Sequence, residues 1–319
     1  MPMKHERIPL GISACLLGER VRFDGGHKRD PFLVESLGQF VDWVPVCPEI
    51  ESGMAAPREA MRLVQVGHEI RLLTTRTVDD QTDMMRRYAR RRLEELAGDE
   101  LFGFVLKKDS PSCGLERVKV YGTGGVPGRT GRGLFADALV TRFPLLPVEE
   151  EGRLNDPRLR DNFVERIFAY RRLTALFAAR WSMGDVVRFH TAHKLTLMAH
   201  MPEAYRRLGR MVGEGKSAPR PEFQVRYSSE FMAALKAIAT PRRQANVLQH
   251  MLGYLKKTLD PESRAELLAL IQDYAGGLVP LVVPLTLFAH HIRRVGVPYL
   301  ADQVYLRPHP GELMLRNHV

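Results

Sequence analysis

Across the first half of the chain, short apolar runs alternate with amphipathic stretches. The runs IPLGISACLL (8–17), DWVPVC (42–47), HEIRLLTT (68–75), FGFVLKK (102–108) and FPLLPVEEE (143–151) read as strands. DPFLVESLGQF (30–40), VDDQTDMMRRYARRRLEELAG (78–98) and GRGLFADALVTR (131–142) read as helices between them. In the second of these, acidic residues come early, arginines later, and a glycine closes the run, so charge complements the helix dipole. Strands alternating with helices predict a parallel, doubly wound sheet.

From about residue 163 the texture changes to a helical pattern rich in Leu, Ala, Met and Arg. RDNFVERIFAYRRLTALFAARW (160–181) and DVVRFHTAHKLTLMAHMPEAYRRLGRMVGEG (185–215) read as long helices. Further helices are expected over 228–239, 241–259 and 261–277, with GKSAPRPEF (215–223) as a connecting loop. The expected architecture is an α/β N-terminal domain, residues 1–160, followed by an all-α C-terminal domain, residues 161–319. The boundary falls near 150–165.

Composition narrows the class. A chain of 319 residues suffices for two cores, and 45% hydrophobic with 26% charged residues is ordinary for a globular protein. No apolar stretch reaches the roughly 20 residues a bilayer span needs. The longest, GGLVPLVVPLTLFAHHI (276–292), reads as a core helix broken by proline. MPMKHERIPL lacks the apolar segment of a secretory leader, so the expected location is cytoplasmic, with no membrane partner. Charge is uneven: residues 1–150 hold 22 Lys+Arg against 22 Asp+Glu, residues 151–319 hold 25 against 15. A neutral half joined to a basic half suits chemistry in one domain and a polyanion on the other; the same excess also suits a merely soluble surface.

The chain has three cysteines, too few for a paired disulfide framework. Cys15 follows the first strand, Cys47 the second, and Cys113 the FVL strand through the polar loop KKDSPSCG. Parallel strands bring their carboxyl ends to one edge, where ligands usually bind, so the three thiols converge if the strand reading holds. Three thiolates suit a soft metal. A [4Fe–4S] cluster with an open fourth iron and a Cys₃ zinc site both fit the count, and small buried hydrophobes are the alternative. Glu49, two residues after Cys47, suits a general acid or base, or equally a helix cap. Ser110 and Ser112 can donate hydrogen bonds to a cluster sulfur or hold a water. Asp24, Lys28 and Arg29 lie in a glycine loop, VRFDGGHKRD, able to cradle a phosphate or base.

In this order, CLLG, VRFDGGHK, CPEIESG, DSPSCG and PVEEEGRL resemble the thiouracil desulfidase (TudS) family over roughly residues 8–160. That resemblance implies a [4Fe–4S] cluster on Cys15, Cys47 and Cys113, whose unique iron takes sulfur from a thiolated uracil. It implies catalytic roles for Glu49 and Ser110, and substrate contacts are then expected of Ser112, Asp24 and Lys28. FHTAHKLTLMAHMPEAYRRLGRMV (189–212) resembles the YbgA-type domain found fused behind such modules. The fusion is similar to the tRNA 4-thiouridine desulfidases of the RudS type, which implies tRNA containing 4-thiouridine as partner and substrate. RNA contacts are expected of Arg171, Arg172, His190, Lys194, Arg206, Arg207 and Arg210. Free thiouracil or 4-thio-UMP as substrate, a zinc hydrolase, and a non-catalytic metal-containing RNA-binding protein are the rivals. The zinc deaminase signature HxE…PCxxC is missing from the chain.

Overall fold

The run starting at Ile8 forms strand β1 (Ile8–Ser13), buried along nearly its whole length, as expected for a strand inside a parallel sheet. In the computed structural model, which describes residues 7–122, 126–178 and 180–317, β1 has β2 (Val41–Val46) on one side. Two later strands, β5 (Phe104–Leu106) and β8 (Val148–Glu150), complete a parallel sheet of order β2-β1-β5-β8. Pro45 lacks an N–H and is accommodated because β2 is an edge strand. The strand order reverses direction at β1, which places a ligand crevice at the carboxyl ends of β1 and its neighbours.

HEIRLLTT does form a strand, β4 (Glu69–Thr74), but it is not part of this parallel sheet. It turns back antiparallel on β3 (Met61–Val66), a strand that the mixed pattern AMRLVQV did not announce. The two-residue turn at Gly67 and His68, with Gly67 at φ +59°, permits only an antiparallel partner, because a parallel one needs a crossover. β6 (Val118–Tyr121) and β7 (Gly128–Gly131) extend this second sheet to the order β4-β3-β6-β7. The segment expected as a helix over 30–40 winds irregularly, a π turn at Phe32–Ser36 and then a 3₁₀ turn at Leu37–Gln39.

Helix α1 (Pro48–Glu51) follows β2 directly, and α2 (Thr82–Leu96) and α3 (Leu134–Arg142) follow later. Phe135 of α3 lies 6.2 Å from Tyr88 of α2 and 6.0 Å from Phe104 of β5, so both helices cover one region of the parallel sheet. These elements belong to one compact unit, residues 1–155.

Residues 156–319 form a second compact unit, in which no strand occurs among the described residues. Its helices are α4 (Pro157–Ala178), α5 (Met183–Ala192), α6 (Lys194–His200), α7 (Pro202–Glu214), α8 (Arg220–Lys236), α9 (Pro241–Leu255), α10 (Pro261–Ala275), α11 (Val282–Val295) and the short α12 (Pro298–Ala301). Ser182, Thr240 and Asp260 cap α5, α9 and α10 through their side-chain oxygens. The expected long helix over 185–215 is three helices. Met201, forced out of helical geometry by Pro202, is extended at φ −150°, and Pro202 then starts α7. α8 takes in Arg220–Phe223, so the 215–223 loop is shorter than its Gly/Pro/Ser content suggested. Pro284 lies in the first turn of α11, where its missing N–H costs nothing, so the prolines start this helix rather than break it. Among the described residues no helix is long and apolar enough to cross a membrane. Residues 1–6, on which the secretory-leader expectation partly rests, lie outside the described residues.

Candidate active site

Cys15, Cys47 and Cys113 follow β1, β2 and β5, which are neighbours in the parallel sheet, and all three line one cavity of about 430 Å³. Cys15 occupies a 3₁₀ turn, Ala14–Leu17, that continues β1 and ends at Gly18 in the left-handed region. Cys47 is the N-cap residue of α1. Cys113 lies in a loop fixed by backbone contacts. The Ser112 carbonyl accepts from the amides of Phe135 and Ala136 at 3.0 and 3.2 Å, at the start of α3. Gly133 is required there, since a Cβ would lie 2.4 Å from that same carbonyl oxygen. Buried Glu150 on β8 accepts from the amide of Leu115 at 2.8 Å and so holds the far end of the loop.

The thiols are free, and Cys15 and Cys113 are buried. Burial, then the nearby Cys47 sulfur, pushes Cys15 up to about 12, against the pull of Lys107 and Arg22. Burial raises Cys113 as well, with Glu49 adding to it, and burial likewise raises Cys47. These thiols therefore stay protonated until a cation enters the cavity, when the same low dielectric favours thiolate ligation. Among the described residues no three His, Cys, Asp or Glu are arranged to hold a single metal ion. The three sulfurs instead line the wall of one cavity.

Two glutamates follow Cys47, and they differ in role. Glu51 accepts from the Cys47 amide at 2.7 Å and from the Tyr88 hydroxyl at 2.6 Å, which gives it the capping task. Glu49 is thereby left to face the cavity. Its Oε2 is paired with Arg58, whose Nε donates at 2.9 Å, and its Oε1 accepts from the Ser112 hydroxyl at 2.5 Å. Ser112 in turn shares a 2.9 Å hydrogen bond with Ser110, whose oxygen also accepts from the Cys113 amide at 3.1 Å. Glu49, Ser112 and Ser110 thus form one hydrogen-bonded chain reaching the cavity beside Cys113.

Lys28 and Ser110 line the cavity, while Ser112 is wholly buried and works through its two neighbours. Asp24 is exposed and pairs with Arg22 and the Gly26 amide, bracing its loop. Lys107 lines the cavity and is paired with Glu151 at 2.5 Å. Arg58 was not found from sequence. It also donates to the Val21 carbonyl at 3.0 Å, fixing the 21–28 loop over the site, and its only sequence signal is a lone arginine in a polar loop. Phe23, 41% exposed, also lines the cavity, with the Arg22 guanidinium 5.4 Å from its ring centre.

In the second unit, Arg206, Arg207 and Arg210 are exposed on α7. Arg207 and Arg210 line a groove of about 390 Å³ with Arg226 and Phe223, although Arg207 is paired with Glu230. His190 lies inside, 3.2 Å from the Tyr227 hydroxyl, and burial pulls it down to about 4. Being neutral and enclosed, it is not placed to meet a phosphate. Arg172 is half-buried and donates to the Pro308 carbonyl at 2.6 Å, a packing role. Arg171 and Lys194 are half-buried.

Comparison with known proteins gives matches for both units. Residues 10–151 match the family model described as 2-thiouracil desulfurase, and residues 194–310 match one for a protein of unknown function, DUF1722. The uncharacterized protein YbgA of Escherichia coli (strain K12) is 30% identical over 165 residues, 51% of this chain and 98% of the relative. The uncharacterized protein YbbK of Bacillus subtilis (strain 168) is 29% identical over 111 residues, 32% of this chain and 71% of the relative. Among solved structures, the [4Fe–4S]-dependent thiouracil desulfidase TudS is 29% identical with a TM-score of 0.40, covering 47% of this chain and 95% of that one.

Proposed function

Because this chain belongs to the YbgA family and carries a thiouracil desulfidase (TudS) module fused to its YbgA-type domain, we propose that it hydrolyses the C=S group of 4-thiouridine in tRNA. The reaction exchanges sulfur for the oxygen of water, giving uridine and hydrogen sulfide, with no net electron transfer. The observation that carries this reading is the meeting of all three cysteines with Glu49 and Ser110 in one cavity.

Cys15, Cys47 and Cys113 would hold a [4Fe–4S] cluster, a group suited to three soft donors and a cavity rather than a point. When bound, the cluster supplies an iron without a cysteine ligand, a soft Lewis acid for the thiocarbonyl sulfur. The remaining work belongs to the chain. Ser110 positions the attacking water, and the water's proton passes through Ser110 and Ser112 to Glu49 Oε1. Arg58 holds Glu49 in place by its other oxygen. Phe23 offers an exposed aromatic face on which the base stacks, and Lys28 supplies positive charge at the cavity wall.

The excess of basic residues after 150, with Arg206, Arg207 and Arg210 on the surface of α7, supports RNA over a free base as substrate. The test compares kcat/KM for 4-thiouridine-containing tRNA and 4-thio-UMP, using anaerobically reconstituted full chain at several salt concentrations. The expected result is a strong preference for tRNA that falls steeply with salt. Equal, salt-insensitive rates would refute the tRNA assignment while leaving the desulfidase reading intact.

A further inference from the structure

The wall of the cysteine cavity carries more positive charge than nearby carboxylates answer. Three of its cations are paired: Arg58 with Glu49, Lys107 with Glu151, and Arg22 with Asp24 at 3.4 Å. The Asp109 carboxylate, also on the wall, meets Arg129 at 4.0 Å. These pairs cancel, and two lysines of the same wall, Lys28 and Lys108, stand in excess. Among the described residues neither ammonium has a hydrogen-bond or ion-pair partner. Both residues are exposed, so an incoming group can reach their amines.

Both lysines are rooted in fixed backbone beside the cysteines. The Lys28 amide donates to the Cys15 carbonyl at 2.9 Å and the Asp30 amide to that of Leu16 at 2.9 Å, which ties this loop to the turn holding the first cysteine. The Lys108 amide donates to Glu151 Oε2 at 2.7 Å. Its methylene stem lies over Gly152, where a Cβ would stand 2.9 Å from Lys108 Cδ. Amines anchored in this way lose less freedom when they close on a ligand. A neutral thiouracil ring draws on neither of them. Three thiolates on an oxidised [4Fe–4S] core would offset one positive charge and still leave an excess. The group that a nucleotide adds to its base, one ribose away, is a phosphate, for which an ammonium is an apt point-charge partner.

We propose that Lys28 and Lys108 hold the phosphate on the ribose of the target base, so that the cysteine cavity selects a nucleotide over a nucleoside or free base. The inference rests on the reading of this cavity as the base-binding site and names the substrate class within it. A free mononucleotide and an RNA chain both bring that phosphate, and they are told apart by the variants below.

The test uses the anaerobically reconstituted full chain in two assays. Equilibrium binding of UMP and uridine, which involves no turnover, should favour UMP by at least about tenfold, the lower end for a charge-assisted hydrogen bond. The ratio of kcat/KM for 4-thio-UMP over 4-thiouridine should show the same preference. Lys28→Gln and Lys108→Gln should each lower both ratios severalfold, and Lys28→Arg and Lys108→Arg should keep most of the preference. The melting temperature should not move, because both amines are exposed. If the glutamine variants also slow turnover of 4-thiouridine tRNA, the phosphate is that of an RNA chain; if 4-thio-UMP alone suffers, it is that of a free nucleotide. UMP that binds no better than uridine, or ratios that the glutamine variants leave unchanged, would overturn the proposal. A protein that prefers UMP through these lysines yet turns over no thiolated substrate would instead refute the desulfidase reading and leave the phosphate site standing.

Discussion

Ser112→Ala separates a proton relay from a set of independent side chains. Ser112 is wholly buried, does not line the cysteine cavity, and links Ser110 at 2.9 Å to Glu49 at 2.5 Å. Removing its hydroxyl deprives a carboxylate oxygen of its donor, which costs about 1.5–3 kcal/mol of stability for a charge-assisted hydrogen bond. The larger effect is on rate. Positioned acid–base transfer contributes about 10²–10⁴-fold, or roughly 3–5 kcal/mol of barrier, and Ser112→Ala should forfeit most of it. KM should hardly change, because the lost group lies behind the cavity wall. The assay follows loss of the thiocarbonyl absorption of 4-thiouridine tRNA under anaerobic conditions, with iron and sulfide content measured on the same sample. Since the three residues act in series, Ser110→Ala/Ser112→Ala should be no slower than either single variant. A fully loaded Ser112→Ala within threefold of wild type, or single losses that multiply in the double, would refute the relay.

The same arrangement of side chains predicts further outcomes. Arg58→Met leaves Glu49 and the Val21 loop without their clamp. It should destabilise the first unit by up to about 3 kcal/mol, the low end for a broken buried pair, and lower kcat, with partial recovery in Arg58→Lys; melting and turnover together check this. Phe23→Ala should raise KM for the thiolated substrate roughly 5- to 150-fold with little change in kcat, a loss of about 1–3 kcal/mol of stacking, whereas Phe23→Tyr should retain it. The Glu165–His200 pair gives a pH signature. Burial opposes both charges, but each partner outweighs it, lowering Glu165 from 4.5 and raising His200 from 6.5. The Glu165 contribution is complete above pH 4.5 and lost as pH falls through about 2; that of His200 is complete below pH 6.5 and lost as pH rises through its elevated value. The stability difference between wild type and Glu165→Gln, taken from denaturant melts, should be largest between these limits and shrink as pH rises through the elevated His200 value.

The cysteine centre was legible in sequence because each cysteine follows a strand, and parallel strands end on one edge. Glu49 was named from its place two residues after Cys47, but whether it caps a helix or faces the site was not legible; the four-residue helix α1 gives the Cys47 amide to Glu51 and leaves Glu49 on the cavity. Arg58 escaped because its partners, Glu49 and Val21, lie 9 and 37 residues away, a distance no local pattern encodes. β3 was missed because its side chains are mostly half-buried or exposed, which leaves a weak alternation. In the second unit, helical periodicity marked the helices but not the break at Met201. Histidine identity alone did not tell that His190 packs against Tyr227 rather than facing solvent.

We propose that Cys15, Cys47 and Cys113 together form a desulfurating centre. Its most direct test is a single-turnover experiment on anaerobically reconstituted protein with 4-thiouridine tRNA, quantifying iron, uridine formed and sulfide released, beside Cys15→Ser, Cys47→Ser and Cys113→Ser. We expect one sulfide per uridine from wild type, and neither the full iron load nor the product from any serine variant. Protein that takes up no iron on reconstitution, or that is fully loaded yet leaves 4-thiouridine, 4-thio-UMP and thiouracil unchanged, would contradict it.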